Sequence, residues 1–139
     1  MSLEMDVADL TEFMRAEFPQ VAEDFRIEEV RERFIRVRMP VTERNLRPGG
    51  TVSGPSMFAL ADVSIYLAIL AMIGPQALAV TTNCAIDFMR KPAAGADMFA
   101  EARLLKLGRV LAVGDALLFS EGMDEPVARA GLTYSIPPR

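Results

Sequence analysis

The longest apolar segment of the chain covers residues 57–73 and contains one charged residue, Asp62. Apolar side chains occur on every face of this segment, so the pattern predicts a long helix that is buried on most sides. Pro55 suits the first helical position, which leaves Ser53 or Gly54 as the N-cap. A Gly-Pro pair directly after the segment predicts its end.

The flanking segments predict one more helix and several strands. Apolar residues recur at helical spacing in residues 6–18, and Pro19 ends this amphipathic leading helix. Residues 25–39 alternate and are rich in β-forming side chains, which predicts a first strand. Four further strands, joined by short turns into an antiparallel meander, are predicted at residues 77–89, 98–107, 109–119 and 127–136.

These elements fit one α+β domain over residues 1–139, with the leading helix in residues 1–20 and the core in residues 25–139. A five-stranded antiparallel sheet is expected to wrap around the long central helix. The strands carry more apolar positions than one helix can cover, which predicts an oligomer. The positions behind that prediction are Leu105, Leu107, Val110, Leu118 and Leu132.

Asp62 is the leading candidate for chemistry. An isolated carboxylate among apolar side chains costs several kcal/mol to bury unless it is paired or reaches a wet cavity, so we expect the chain to use it. A loop rich in Gly and Pro, residues 47–56, leads into the same helix. Free N–H groups at the helix start, beside Gly54, can hold a carbonyl oxygen that gains negative charge. The alternative interpretation of this loop is an ordinary helix cap.

Composition excludes several classes of function. The chain has no histidine, which removes Ser-His-Asp and Cys-His nucleophile systems and His-based metal sites. The single cysteine, Cys84, allows no internal disulfide, which favours a cytoplasmic setting, and its alternating strand context is typical of a small buried side chain. A formal net charge of -4 without a basic stripe disfavours nucleic acid as a partner. No membrane or targeting segment is expected, because Asp62 shortens the uncharged run.

The order of strand, Gly-rich loop, long apolar helix with an acid, and further strands resembles the hotdog-fold thioesterases of the phenylacetate-pathway (PaaI-like) type. The resemblance runs from about Phe25 to the C-terminus. The motifs that carry it are Asn45, Val52-Ser-Gly-Pro-Ser56, Leu60-Ala-Asp62, Ile86-Asp-Phe-Met89, Gly108-Arg109 and Thr133-Tyr134.

The resemblance implies an acyl-CoA thioester hydrolase that needs no cofactor or metal and works as a homodimer or a dimer of dimers. In this family the N–H of a glycine at the helix start polarises the thioester carbonyl, and Gly54 matches that glycine. An aspartate two turns on, supplied across the dimer interface, attacks the thioester or activates water, and Asp62 matches it. An asparagine before the loop and a hydroxyl residue on the next strand assist, and Asn45 and Thr81 match these.

One departure from the family concerns the loop, which has Ser53-Gly54-Pro55 where the family has His-Gly-Gly. Ser53 can serve as a local cap, whereas Pro55 has no N–H, so an oxyanion contact must come from Gly54 and Ser56. The departure keeps open an alternative function, a non-catalytic acyl-CoA or acyl-ligand binding protein. A hotdog hydratase or dehydratase is disfavoured, because those enzymes rely on a histidine.

The remainder of an acyl-CoA has candidate contacts as well. Exposed cations at strand ends and turns can meet phosphates, while for each residue taken separately ordinary surface solubility is the simpler explanation. These cations are Arg90, Lys91, Lys106 and Arg109. Apolar residues on the central helix can line an acyl channel, with plain core packing as the alternative. These residues are Met57, Phe58 and Tyr66.

Overall fold

The computed structural model describes residues 2–138, which form three α-helices, one short 3-10 helix and six strands. The N-terminal elements are helix α1 (Val7–Glu17), helix α2 (Pro19–Ala22), and strands β1 (Arg26–Arg31) and β2 (Phe34–Met39). The 3-10 helix Glu43–Asn45 and the central helix α3 (Gly54–Ile73) follow. The remaining strands are β3 (Val80–Phe88), β4 (Met98–Leu107), β5 (Leu111–Ser120) and β6 (Ala128–Ser135).

All six strands form one antiparallel sheet in the order β1-β2-β4-β5-β6-β3. The α+β hotdog architecture is therefore confirmed, but the first predicted strand is a hairpin of two strands rather than one. The chain turns back at Arg33, which adopts the left-handed φ of 58°. Alternation alone did not reveal this turn, because it continues through the residues on both sides.

The predicted four-strand meander was wrong in one respect. Strands β4, β5 and β6 are consecutive neighbours, but β3 pairs with β6 instead of β4. Residues 89–97 between β3 and β4 are numerous enough to cross three strand spacings, about 14 Å, whereas a two-residue turn would have forced the two strands together. As a result β3 forms one free edge of the sheet.

Helix α3 packs on one face of the sheet and lies at the centre of the hydrophobic core. Its close approach is possible because a Cβ on Gly114 of β5 would lie 2.7 Å from Ile65 Cδ1. By length and composition the helix could cross a membrane, but 72% of its apolar window is buried inside the domain. That burial is the arrangement of a core helix, as the sequence pattern predicts.

The two ends of α3 follow the local signals in the sequence. Ser53 is the N-cap, and its Oγ accepts a hydrogen bond of 3.3 Å from the Ser56 N–H. Pro55 lies in the first turn, and Gly74 ends the helix with a φ of 90°. These ends fix where Asp62 lies along the helix.

The apolar strand positions only partly support the sequence argument for an oligomer. Leu118 and Leu132 were expected to be uncovered, but both are buried in the core. Leu105 and Val110 are each 62% exposed. These strand positions alone therefore do not indicate self-association.

Candidate active site

Asp62 lies half-buried in a pocket of about 170 Å³ between α3, the start of β3 and β6. Its Oδ1 accepts one hydrogen bond of 2.5 Å from the Thr81 hydroxyl and one of 2.7 Å from the Tyr134 hydroxyl. These bonds give the acid the polar partners that it needs on an apolar helix. The other lining residues are Phe18, Val63, Tyr66, Ala77, Ala79 and Val80.

A β-bulge at Thr82 determines which threonine reaches the acid. Counting by twos from the half-buried Cys84, strict alternation would turn Thr82 towards α3 and Thr81 away from it. The β3–β6 ladder shifts register at this point and makes Thr81 the direct partner of Tyr134. Direct partners share one face of a sheet, so both hydroxyls meet at Asp62. The Thr82 hydroxyl bonds the backbone of β6 instead.

Tyr134 was expected only as part of a family motif and not as a site residue. Burial and, second, the charge of Asp62 raise the pKa of the Tyr134 hydroxyl far above its usual range, so it remains a protonated donor. One signal was present in the sequence. The inward positions of β6 continue from Ala130 and Leu132 to Tyr134, and a buried tyrosine needs a partner for its hydroxyl.

The N–H groups of the first turn of α3 are not equally available. The Ser56 N–H bonds the Ser53 side chain, the Met57 N–H bonds the Ser53 carbonyl, and Pro55 has none. Within residues 2–138 the Gly54 N–H has no acceptor. Of the two predicted oxyanion donors, Gly54 is therefore free, and Ser56 is already engaged in the cap.

Asn45 lies beside this helix start. Its Oδ1 accepts a hydrogen bond of 2.8 Å from the Thr42 N–H, and its Nδ2 donates one of 3.2 Å to Ser56 Oγ. The main-chain N–H of Ser53 also donates to the Asn45 carbonyl, at 2.7 Å. Asn45 thus fastens the loop to the first turn of α3, and its side-chain amide is engaged within the loop.

Gly54 faces a separate surface groove of about 530 Å³. The groove lies between the Gly-rich loop, the start of α3 and the end of β3. It brings together four of the candidate residues, Gly54, Met57, Arg90 and Lys91, but not Asp62 or Tyr66. Its remaining lining residues are Arg47, Thr51, Val52, Phe88 and Pro92.

The predicted phosphate contacts differ in their surroundings. The Arg90 guanidinium donates to the Pro126 carbonyl at 2.7 Å and pairs with Glu125 at 2.8 Å, so it holds the turn between β5 and β6. No hydrogen bond or ion pair engages the side chain of Lys91 within the described chain. Arg109 borders another surface groove, beside residues 135–138 at the opposite end of β6.

The predicted residues therefore fall into two half-sites within one chain: the groove at Gly54 and the pocket at Asp62. Gly54 and Asp62 are eight residues apart on α3, which separates them by about 12 Å along the helix axis. Phe88 and Thr81, which border the two half-sites, are about 23 Å apart along β3. One thioester carbonyl cannot contact the Gly54 N–H and the Asp62 carboxylate of the same chain.

Two other chemistries find no support in the site. Burial, followed by the nearby charge of Asp62, raises the pKa of the Cys84 thiol, which opposes formation of a nucleophilic thiolate. Among residues 2–138 no group of three or more His, Cys, Asp or Glu side chains is arranged to hold a metal ion. The pocket therefore offers the Asp62 carboxylate and the hydroxyls beside it as candidate reactive groups.

The thioesterase superfamily profile matches residues 49–127, more than half of the chain. A provisionally assigned thioesterase from Silicibacter sp. TM1040 is 59% identical, with 99% of this chain and 96% of that chain covered and a TM-score of 0.93. The PaaI protein from the E. coli phenylacetic acid degradation operon is 26% identical, with 91% and 94% covered and a TM-score of 0.75. No curated protein sequence matches the chain.

More distant structures share the fold. A hypothetical thioesterase from Streptococcus pneumoniae, solved with coenzyme A, is 19% identical, with 94% of this chain and 98% of that chain covered and a TM-score of 0.77. The profile match, the Silicibacter protein and the E. coli PaaI protein confirm the PaaI-like hotdog resemblance. The matched residues 49–127 include Gly54, Asp62 and Thr81. The chain belongs to the thioesterase superfamily.

Proposed function

We propose that this protein hydrolyses acyl-CoA thioesters at a site that two copies of the chain share. The observation that carries the proposal is the position of the two half-sites at opposite ends of the free edge strand β3. Val80, at the Asp62 end, is 56% exposed, and Phe88, at the Gly54 end, is 52% exposed. An unpaired strand edge that carries exposed apolar side chains is suited to pairing with another strand.

A two-fold axis through the middle of β3 would pair this strand with its copy in the antiparallel direction. The Val80 end of one copy then lies beside the Phe88 end of the other. Each Asp62 pocket is thereby placed next to the Gly54 groove of the second copy, and the dimer has two such composite sites. The same step covers the exposed edge, so dimer formation and site formation are one event.

The chemistry needs one N–H donor and one carboxylate. The Gly54 N–H stabilises the negative charge that develops on the thioester oxygen. Asp62 either takes a proton from water, whose oxygen bonds to the carbonyl carbon, or attacks that carbon itself to give an anhydride that water then opens. In both routes the carbon–sulfur bond breaks, the thiol leaves with a proton, and one water molecule is consumed.

A CoA thioester suits the cations around the Gly54 groove. Lys91 and Arg47 border the groove, and no carboxylate pairs with either side chain within residues 2–138. Phosphates of a bound CoA can satisfy them. Two relatives of the same fold, from Streptococcus pneumoniae and Streptococcus mutans, were solved with coenzyme A and acetyl-CoA. Arg109 lies at the end of the sheet that faces away from the Gly54 groove of its own chain, so only the Arg109 of the second copy can lie near a CoA bound in this groove.

The acyl group is expected to lie beside Asp62, against the rings of Tyr66 and Phe18. These two rings meet edge to face with centroids 6.4 Å apart, and the Tyr66 hydroxyl bonds the Ala77 carbonyl. The wall that they form is thus apolar on its pocket side. Met57 borders the Gly54 groove and is expected to contact the thioester end of the substrate.

Thiol release from a panel of acyl-CoAs, measured beside binding of the same panel, tests the proposal. We expect hydrolysis of at least one member. Tight binding without hydrolysis of any member would contradict the proposal and establish the acyl-CoA binding protein instead, with Ser53 in place of the family histidine. Single turnover in isotopically labelled water detects the direct route, because label enters the Asp62 carboxylate only if Asp62 attacks the thioester and water then opens the anhydride at the Asp62 carbon.

A further inference from the structure

We infer that Tyr134 is a positioning residue for the reaction. With Thr81 it clamps one carboxylate oxygen of Asp62, so that the second oxygen is the one that reacts. The inference rests on the proposed hydrolase function and adds a residue outside the superfamily match, which ends at residue 127.

The clamp is one-sided. The hydroxyls of Thr81 and Tyr134 both donate to Oδ1 of Asp62, at 2.5 and 2.7 Å. Oδ2 accepts no hydrogen bond from residues 2–138. A carboxylate held at one oxygen by two donors cannot rotate freely about its last bond, so Oδ2 keeps one direction in the pocket.

The Tyr134 hydroxyl has two acceptors within reach, the Asp62 carboxylate at 2.7 Å and the Asp62 main-chain carbonyl at 3.0 Å. It has one proton to give. The shorter contact, to a charged group, is the stronger of the two. Tyr134 therefore donates mainly to the side chain of Asp62. Its hydroxyl also lies against the main-chain carbonyl of Asp62, so the side chain is held close to the backbone of α3.

The hydroxyl of Tyr134 can be removed without removing its ring from the core. The Tyr134 ring is buried and packs against Tyr66, with centroids 6.2 Å apart. Phenylalanine at this position keeps that packing and removes one oxygen atom. Tyr134→Phe therefore tests the clamp with little change to the core.

The experiment compares kcat, KM and melting temperature for the wild type and Tyr134→Phe on a hydrolysed acyl-CoA. We expect kcat to fall roughly ten- to a hundredfold, the range for losing a hydrogen bond to a charged group, with KM and dimer formation unchanged. Ser64→Ala is the matched control, because it removes a buried hydroxyl of α3 that donates to the Leu60 carbonyl and not to Asp62. Its kcat should stay at the wild-type value.

A double-mutant cycle shows whether Tyr134 acts through Asp62. In the Asp62→Asn background, Tyr134→Phe should cause no further loss of the residual rate, whereas a purely structural role would persist. Full kcat in a folded Tyr134→Phe protein, or a loss that persists in Asp62→Asn, overturns the inference and leaves the hydrolase proposal intact. Full activity of Asp62→Asn alone overturns both.

If Tyr134→Phe does not fold, Thr81→Val on the exposed edge strand tests the same clamp from its other side. We expect the same pattern of reduced kcat with unchanged KM. An unchanged kcat for folded Thr81→Val would overturn the clamp.

Discussion

The ring of Phe88 lies directly against Gly54, and a Cβ at position 54 would be 3.3 Å from Phe88 Cζ. Gly54 therefore has a packing reason for being glycine as well as a proposed catalytic one. The two reasons can be separated, because Ser53 has a ψ of 155°, a conformation that a following proline accepts.

Gly54→Pro removes the N–H, and Gly54→Ala keeps it with a similar contact to Phe88. If the N–H stabilises the thioester oxygen, Gly54→Pro should lower kcat by about a hundredfold or more. Gly54→Ala should keep most of the activity, since the half-exposed Phe88 ring can shift by a few tenths of an ångström. Steady-state kinetics of both variants checks this. Equal losses would assign Gly54 to packing alone.

The bulge at Thr82 allows a second matched pair of variants, at Thr81 and Thr82. Thr81 donates to Asp62, whereas its neighbour Thr82 donates to the Thr133 carbonyl. We expect Thr81→Val to lower kcat about tenfold, as for one hydrogen bond to a charged group, and Thr82→Val to leave it unchanged. The comparison uses kcat together with the melting temperature. A larger kinetic effect from Thr82→Val would mean that the bulge lies elsewhere in solution.

Charge removal tests the CoA end of the site. Arg47→Ala and Lys91→Ala should each raise KM for an acyl-CoA more than KM for a short thioester without the nucleotide, and added salt should reproduce the effect. Arg26→Ala is the control, because Arg26 begins β1 at the opposite edge of the sheet. Parallel changes for both substrates would place the nucleotide elsewhere.

Asp62→Asn keeps the size of the side chain and an oxygen that can accept from Thr81 and Tyr134. It removes the charge needed for attack or proton transfer, so kcat should fall by at least about a hundredfold while the melting temperature stays close to wild type. If Asp62 were only a structural acid, the melting temperature or dimer formation would change and turnover per folded dimer would not.

Local signals were sufficient for α1 and α3, whereas the four-residue helix α2 (Pro19–Ala22) was not predicted. An uninterrupted apolar run, Pro55 and Gly74 predicted α3 together with its ends, since propensity and capping depend on near neighbours. The same run singled out Asp62 as the acid on a buried helix. The turn at Arg33, which divides residues 25–39 into two strands, was not predicted, because no Gly, Asn or Pro marks it.

The pairing of strands was the part that sequence could not supply. Which neighbour β3 takes depends on the path of residues 89–97 and on the packing of the whole sheet, not on alternation within β3. The bulge that turns Thr81 inward is set by that pairing. Thr81 was therefore identified through family resemblance, and Tyr134, its partner across the ladder, was recognised as a site residue only in the structure.

Mixing two inactive variants shows whether Gly54 and Asp62 of different copies act on one thioester. Gly54→Pro and Asp62→Asn are co-expressed with different tags, and the mixed dimer is purified through both. Each mixed dimer then has one composite site with both residues intact, so it should recover about half of the wild-type kcat per dimer, while each variant alone stays inactive. A mixed dimer that forms but is as inactive as its parents would contradict the shared site.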